Sequence, residues 1–139
     1  GLSCQYAFDF LHLHQVYCHI AANNFASVKV FEKVGFSALN FTDSRGIFQY
    51  YNLKYLYNNI QTAIENGVKV MNITTEPVTI AEIYNAITGK EFVNELGGAI
   101  PHYDFKTENY EIFGGKDGYI QTKEFVLNDI KQFIAEMTK

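Results

Sequence analysis

The stretch FQYYNLKYLYNNIQTAIENGVKVMNITTEPVTIAEIYNAITG, residues 48–89, constrains the fold of this chain more than any other. It begins with a short aromatic run, followed by an apolar pattern of helical period, a β-branched run and a second helical pattern. Each helical pattern ends at a glycine, Gly67 or Gly89, where a left-handed backbone costs least. The stretch therefore predicts a strand, a helix, a second strand and a second helix.

The two strands are predicted from residue type. Phe48–Leu53 is short and aromatic, which suits a strand. Val68–Thr74 is apolar and rich in β-branched residues, which is typical of a buried strand. Short strands that alternate with helices predict the α/β class. The fold is expected to be incomplete relative to either of the two parent folds that its segments resemble.

Three helices are predicted from apolar periodicity and capping residues. The first begins near Tyr55, and its stripe is Leu56, Ile60, Ala63 and Ile64. Thr79 and Glu82 have the spacing of a capping box before the second. The buried face of that helix is predicted to be Ile80, Ile83, Tyr84 and Ile87. Thr122 can cap a closing helix with the stripe Val126, Ile130, Phe133, Ile134 and Met137.

Composition narrows the class of protein. The chain has 139 residues, 47% of them hydrophobic, with 12 Phe and 10 Tyr, which predicts a folded core rather than disorder. The net charge is −4 and no basic stripe is present, so nucleic acid is not expected as a partner. No apolar run approaches the ~20 residues that a membrane span needs.

The location and the state of the cysteines are also predicted. No secretory pattern occurs at the start, so a cytoplasmic location is expected, with Cys4 and Cys18 as reduced thiols. The first residue is Gly1 rather than Met, which suggests that residues preceding it are missing or were removed. His12, His14, His19 and Cys18 are metal-ligand types, but their spacing fits no standard site, so no metal is expected.

A separate pattern occupies residues 2–38. Gly1–Leu13 reads as a helix, Val16–Ala21 as a strand and Ala26–Val34 as a short helix that stops at Gly35. The strand lies in HQVYCHIA (14–21), and the turn and second helix lie in NFASVKVFEKVGF (24–36). This order resembles the C-terminal half of a GNAT-type acetyltransferase. The resemblance implies that the strand and helix flank acetyl-CoA, with Asn24 and Ser27 as cofactor-binding residues and Asn24 against the pantetheine arm.

The same resemblance bears on acetyl transfer. The tyrosine that often serves as general acid in that family corresponds to Phe31, which cannot donate a proton. The loop that grips the pyrophosphate through backbone N–H groups should lie before Gly1. This chain alone is therefore not expected to transfer an acetyl group.

A third pattern extends from Asn40 to about Met137. Its carriers are TDSR (42–45), FQYYNL (48–53), VMNITTEPV (70–78), YDFKT (103–107), FGG (113–115), GYI (118–120) and the closing helix. These residues resemble the C-terminal part of an NAD-dependent epimerase/dehydratase of the extended short-chain dehydrogenase type. The resemblance implies NAD as cofactor and a sugar-nucleotide substrate. It also implies that Arg45, Tyr50 and Asn52 bind this substrate, with Arg45 on the phosphates.

The catalytic motifs of that family are not found. No Gly-x-x-Gly-x-x-Gly turn follows a first strand, and the loop Gly114–Gly118 reads as a plain turn. Tyr50 and Lys54 have Tyr-x-x-x-Lys spacing, but they span a strand and a helix start, so a catalytic pair is not expected. No catalytic residue is assigned.

The sequence therefore predicts two segments, residues 1–39 and 40–139. The leading hypothesis is the substrate-side segment of an NAD-dependent sugar-nucleotide epimerase/dehydratase, without catalysis or cofactor binding alone. The alternatives are a truncated acetyl-CoA-dependent N-acetyltransferase module and a non-catalytic remnant. Partial folds leave sheet edges uncovered, which predicts a homo-oligomer or a partner chain that covers them.

Overall fold

The computed structural model describes residues 38–137. Over this range the chain is mixed α/β, with three α-helices and one antiparallel pair of very short strands. The strands are β1 (Ile47–Phe48) and β2 (Val78–Thr79). The helices are α1 (Leu56–Glu65), α2 (Ile80–Thr88) and α3 (Lys123–Met137). Three 3-10 turns lie at Ala38–Phe41, Leu53–Tyr55 and Tyr110–Phe113.

Strand β1 is the meeting point of three segments. Ile47 pairs with Thr79 and Phe48 with Val78. On its other side, the Ile47 N–H donates to Pro101 O at 2.9 Å, and Ile47 O accepts from the Tyr103 N–H at 3.0 Å. The short strand thereby holds the segment around residue 102 beside the start of α2.

Helix capping is confirmed where the sequence predicted it. The Thr79 side chain accepts from the Glu82 N–H at 3.1 Å, and Glu82 Oε2 accepts from the Thr79 N–H at 2.7 Å, so the capping box is complete. Gly67 and Gly89 have φ values of 69° and 70°, the left-handed conformation that favours glycine after a helix. Thr122 Oγ1 accepts from the Phe125 N–H at 3.3 Å at the start of α3.

The core lies between α2, α3 and the strand pair. Its buried members are Tyr50, Val78, Ile83, Val126 and Ile130, with Phe48, Ile87, Leu127 and Ile134 packed around them. Helices α2 and α3 contact each other along this core. The predicted faces are confirmed for Ile83 and Ile87 in α2 and for Val126, Ile130 and Ile134 in α3. The prediction is wrong for Phe133 and Met137, which are 37% and 55% exposed. In α1, by contrast, no residue is fully buried and Ile64 is 63% exposed.

The prediction of a strand at Val68–Thr74 is wrong. Val70 is 88% exposed, so this run is not sandwiched between layers as a buried strand would be. Within this run only Thr74 pairs with a distant segment: Thr74 O accepts from the Ile120 N–H at 2.9 Å. The next residue, Thr75, forms a single parallel bridge with Gln121, while at the start of the run the Val68 N–H donates to Ala63 O at 2.9 Å. Residues 68–74 therefore form a connection between α1 and β2 rather than a strand.

The strand predicted at Phe48–Leu53 is correct only for its first residue. After Phe48 the side chain of Gln49 replaces the backbone as hydrogen-bonding partner. Gln49 Nε2 donates to Thr75 O at 2.6 Å and to Phe105 O at 2.8 Å, while Gln49 Oε1 accepts from the Phe105 N–H at 2.8 Å. Asn52 then caps a 3-10 turn, so the strand cannot continue.

Other sequence-based predictions fall outside the described residues. These are the strand and helix of residues 2–36, the cysteines, and the histidines at positions 12, 14 and 19. Among residues 38–137, no helix has both the length and the apolar character that crossing a bilayer requires.

Candidate functional site

The carboxylate of Asp129, in the middle of α3, accepts hydrogen bonds from three residues that lie far from it in the sequence. Its Oδ1 accepts from Lys54 Nζ at 2.6 Å and from the Tyr55 hydroxyl at 2.8 Å. Its Oδ2 accepts from Asn52 Nδ2 at 2.9 Å. Only 10% of the Asp129 side chain is exposed, so these donors replace most of the water that the carboxylate would otherwise bind.

The local sequence explains how three donors converge on one carboxylate. Asn52 is the N-cap of the 3-10 turn Leu53–Tyr55, and its Oδ1 accepts from the Lys54 N–H at 3.1 Å. This bond fixes the Asn52 side chain so that its amide nitrogen points to α3. The turn places Lys54 and Tyr55 beside it. We call Asn52, Lys54, Tyr55 and Asp129 the Asp129 cluster.

The pKa values follow from these contacts. Burial raises the pKa of Asp129, but the hydrogen bonds from Lys54, Asn52 and Tyr55 outweigh it and leave that pKa below its usual value. The bond to Asp129 raises the pKa of Lys54. Burial raises the pKa of Tyr55. At neutral pH the cluster therefore consists of a carboxylate, an ammonium and a protonated phenol.

An open groove of about 360 Å³ lies next to this cluster. Tyr55 belongs to both, and its ring lies 5.6 Å from that of Phe125 at an angle of 57°. The remaining lining residues are Asn59, Phe113, Gly114, Gly115, Ile120, Gln121 and Thr122. No residue in this lining carries a formal charge, so the groove offers aromatic faces and amide groups to a neutral moiety.

The loop Gly114–Gly118 on one wall of the groove is a tight turn, as the sequence predicted. Lys116 and Tyr119 exchange backbone hydrogen bonds at 2.9 Å in both directions. A Cβ atom on Gly115 would collide with the carbonyl oxygens of Tyr119 and Tyr110. Close backbone packing therefore explains why Gly115 must be glycine. The Tyr119 hydroxyl donates to Asp104 Oδ1 at 2.5 Å, and burial raises the pKa of Tyr119 to about 12.

Arg45 lies in a second polar group, at the turn before β1. Its Nη2 donates to Asp43 Oδ2 at 2.8 Å and its Nε to Asp43 Oδ1 at 3.0 Å, a two-pronged contact. Its Nη1 lies 3.2 Å from Glu95 Oε2, and Nη2 also donates to Leu96 O at 3.1 Å. Hydrogen bonding from Arg45 holds the pKa of Asp43 far below its usual value. Arg45 therefore ties this turn to residues 95–96.

The three residues implied to bind a substrate thus have different surroundings. Arg45 contacts Asp43 and the 95–96 segment. Tyr50 is 5% exposed in the core, and its carbonyl accepts from Thr75 Oγ1 at 2.9 Å. Asn52 belongs to the Asp129 cluster. Their side chains share no hydrogen-bonding partner in the contacts described above. Asn24 and Ser27 lie outside the described residues.

Sequence reasoning missed Asp129 as the centre of a cluster, although a signal was present. Asp129 lies between Val126 and Ile130 on the apolar side of the closing helix. A carboxylate at such a position has to find donors on another element because its burial would otherwise be too costly. Tyr50 and Lys54, which have Tyr-x-x-x-Lys spacing in the sequence, have different surroundings: Tyr50 lies in the core and Lys54 binds Asp129. Within the described range, no group of three His, Cys, Asp or Glu side chains could hold a metal.

Comparison with known proteins gives one finding on the family. The model of the acetyltransferase (GNAT) domain matches residues 1–37, a range that contains Asn24 and Ser27. No curated protein and no solved structure matches the chain. The match supports the acetyltransferase resemblance of the first segment, and none of the comparisons supports an epimerase/dehydratase resemblance of the second.

Proposed function

We propose that this chain binds acetyl-CoA through residues 1–37, as part of an N-acetyltransferase of the GNAT type. The observation that carries the proposal is the match of those residues to the acetyltransferase (GNAT) domain. Asn24 and Ser27 lie inside the matched range and have the side chains that the proposal needs. A carboxamide can donate to and accept from the amide groups of pantetheine, and a hydroxyl can do the same.

The reaction of such a domain sets what each residue can contribute. The lone pair of an amine nitrogen attacks the thioester carbonyl carbon, and a carbon–nitrogen bond forms. The carbon–sulfur bond breaks, the nitrogen gives up a proton, and the coenzyme A thiolate takes up a proton. Phe31 cannot supply that proton. Residues 1–37 are therefore assigned to binding and orienting the cofactor, and another group has to provide the proton.

Residues 38–137 are proposed to be an appended module rather than a part of the cofactor site. They enclose a core of their own, centred on Val78 and Val126. In the described range, every buried side-chain nitrogen and oxygen has a hydrogen-bonding partner. A segment with its polar groups satisfied internally does not need acetyl-CoA to complete it.

Calorimetric titration of the full chain with acetyl-CoA tests the proposal. The unmodified chain is expected to bind, and Asn24→Ala combined with Ser27→Ala is expected to weaken binding about tenfold, the loss of one to two hydrogen bonds. Asn72→Ala is the matched control, because Asn72 is exposed and lies outside the matched range. Absence of binding by the unmodified chain, or equal weakening by Asn72→Ala, would contradict the proposal.

A second candidate is the sugar-nucleotide segment of an epimerase/dehydratase. The feature that favours it is the uncharged groove next to Asn52, whose aromatic and amide lining suits a neutral ring with polar substituents. Arg45 could bind phosphate only in competition with Asp43 and Glu95. This candidate requires that UDP-glucose or NAD raise the melting temperature while acetyl-CoA does not.

Self-association is a third proposal, supported by exposed apolar side chains. Val70 is 88% exposed and Val93 70% exposed. Single exposed apolar residues are ordinary, so the test has to measure assembly directly. Sedimentation of the full chain is expected to show a mass that grows with concentration, and Val70→Asp combined with Val93→Asp should abolish that growth. A constant monomer mass over the whole concentration range would refute the proposal.

A further inference from the structure

Asn66 and Gly67 form the one Asn-Gly pair in the sequence. The backbone nitrogen that follows an asparagine can attack the side-chain amide carbon, and glycine hinders this attack least because it has no Cβ atom. Both residues are exposed, and nothing lies within 4 Å of the point where a Cβ on Gly67 would be. Water and hydroxide therefore reach this pair from the surface.

We propose that Asn66 is a site of spontaneous deamidation in this protein, and that the last turn of α1 controls its rate. The deprotonated nitrogen of Gly67 attacks the Asn66 amide carbon and a carbon–nitrogen bond forms. The side-chain nitrogen leaves as ammonia, which gives a cyclic succinimide. Water then opens the ring at either carbonyl and leaves aspartate or isoaspartate at position 66, with no oxidant or reductant involved.

In the folded protein, hydrogen bonds engage both reacting groups, the Gly67 backbone nitrogen and the Asn66 side-chain amide. The attacking nitrogen of Gly67 donates its hydrogen to Ile64 O at 3.0 Å, and this bond opposes deprotonation. The amide under attack is held back along the helix, because Asn66 Nδ2 donates to Thr62 O at 2.8 Å. The next bond, from the Val68 N–H to Ala63 O at 2.9 Å, closes the same turn. Reaction therefore requires these bonds to open first.

Opening of this turn should be frequent compared with global unfolding. No residue of α1 is fully buried, and helix ends are the elements that open at the lowest free energy. The product would place a negative charge at the C-terminal end of α1, where the helix dipole disfavours it. It would also replace the amide donor to Thr62 O by an acceptor. Conversion of Asn66 therefore weakens the same helix turn that slows the reaction in the unmodified protein.

Peptide mapping by mass spectrometry tests the proposal, after incubation of the full chain at mildly alkaline pH with and without urea. Asn66 is expected to convert faster than every other asparagine in both conditions, and about tenfold more slowly in the folded protein than in urea. Gly67→Ala should suppress the reaction in urea as well. Because the protein is unfolded in urea, this comparison holds even if the variant folds poorly. Faster conversion at another asparagine, or no conversion in urea, would overturn the site.

Two matched variants test control by the helix turn. Ala63→Gly weakens α1 by about 1 kcal/mol and should raise the rate in the folded protein about fivefold, with no change in urea. Ala86→Gly makes the same change in α2 and should leave the rate at Asn66 unaltered. Equal rates in the folded and urea-treated protein, or the same acceleration by both variants, would overturn control by the last turn of α1.

Discussion

Lys54 Nζ lies 2.6 Å from Asp129 Oδ1, although the two residues are 75 positions apart in the sequence. This contact joins the 3-10 turn that precedes α1 to the middle of α3. Asn52 and Tyr55 bind the same carboxylate. The Asp129 cluster therefore fixes the orientation of the segment that forms one wall of the groove.

Asp129→Ala is expected to lower the free energy of unfolding by about 2 kcal/mol, because the Asn52 amide and the Tyr55 hydroxyl lose their acceptor. Lys54 adds little to this loss, since its side chain is 49% exposed and its ammonium can return to water. Urea denaturation gives the value. Asn128→Ala, an exposed neighbour on α3, is the control and should change stability by less than about 0.5 kcal/mol. Equal effects would show that the cluster contributes nothing specific.

The same carboxylate makes part of the stability depend on pH. The pKa of folded Asp129 lies below its usual value, so the contribution of this carboxylate is complete above about pH 5 and is lost as the pH falls through the folded pKa. At about pH 6 the unmodified chain should therefore be more stable than Asp129→Asn. This difference in unfolding free energy should shrink as the pH falls to about 2. Urea denaturation across this range measures it. A difference that stays constant would contradict the assigned contacts.

Thr79→Ala is expected to lower the free energy of unfolding by about 1 kcal/mol, because the Glu82 N–H at the start of α2 loses its acceptor. Thr79→Ser retains the hydroxyl and should cost much less. Glu82→Gln separates the two roles of Glu82, since it keeps an acceptor for the Thr79 N–H but removes the ion pair with Lys123 at 2.8 Å. Thermal unfolding of the three variants ranks their losses of stability. Equal losses for alanine and serine would contradict the capping role.

These helix caps show how far sequence reasoning succeeded. Thr79, Glu82, Gly67 and Gly89 act within a few residues of their partners, so their spacing alone predicted the helix ends. The strand predictions were wrong for the opposite reason, because they depend on residues far away in the sequence. Whether residues 68–74 become a buried strand depends on which distant segments cover them, and in the described fold only Thr74 and Thr75 find such partners.

The candidate site was predictable only in part, for the same reason. Arg45 was singled out for phosphate binding, but the sequence could not show that residues 95–96 would reach it. Asn52 was named as a substrate residue, whereas its partner Asp129 lies 77 positions away. Long-range polar pairs of this kind leave no local period. The one local sign of such a pair was the carboxylate of Asp129 on the apolar face of a helix.

Arg45→Ala is expected to release the segment at residues 95–96 from the turn before β1. The variant removes the bonds to Glu95 Oε2 and Leu96 O, while Ser44 still binds Asn94 through its hydroxyl at 3.1 Å. Amide hydrogen exchange should therefore speed up at Leu96, whose N–H donates to Asp43 Oδ2 at 2.9 Å, and change little in α3. Arg45→Lys keeps the charge but not the two-pronged geometry, and an intermediate effect is expected. Unchanged exchange at Leu96 in Arg45→Ala would refute this role of Arg45.

The measurement that tests the central claim most directly is an acetyl-CoA titration of the full chain, followed by amide chemical shifts in nuclear magnetic resonance. Saturable shifts are expected within residues 1–37, including Asn24 and Ser27, while the core around Val78 and Val126 stays unperturbed. The opposite pattern, with shifts around the groove at Tyr55 on adding UDP-glucose or NAD and none on adding acetyl-CoA, would contradict the account.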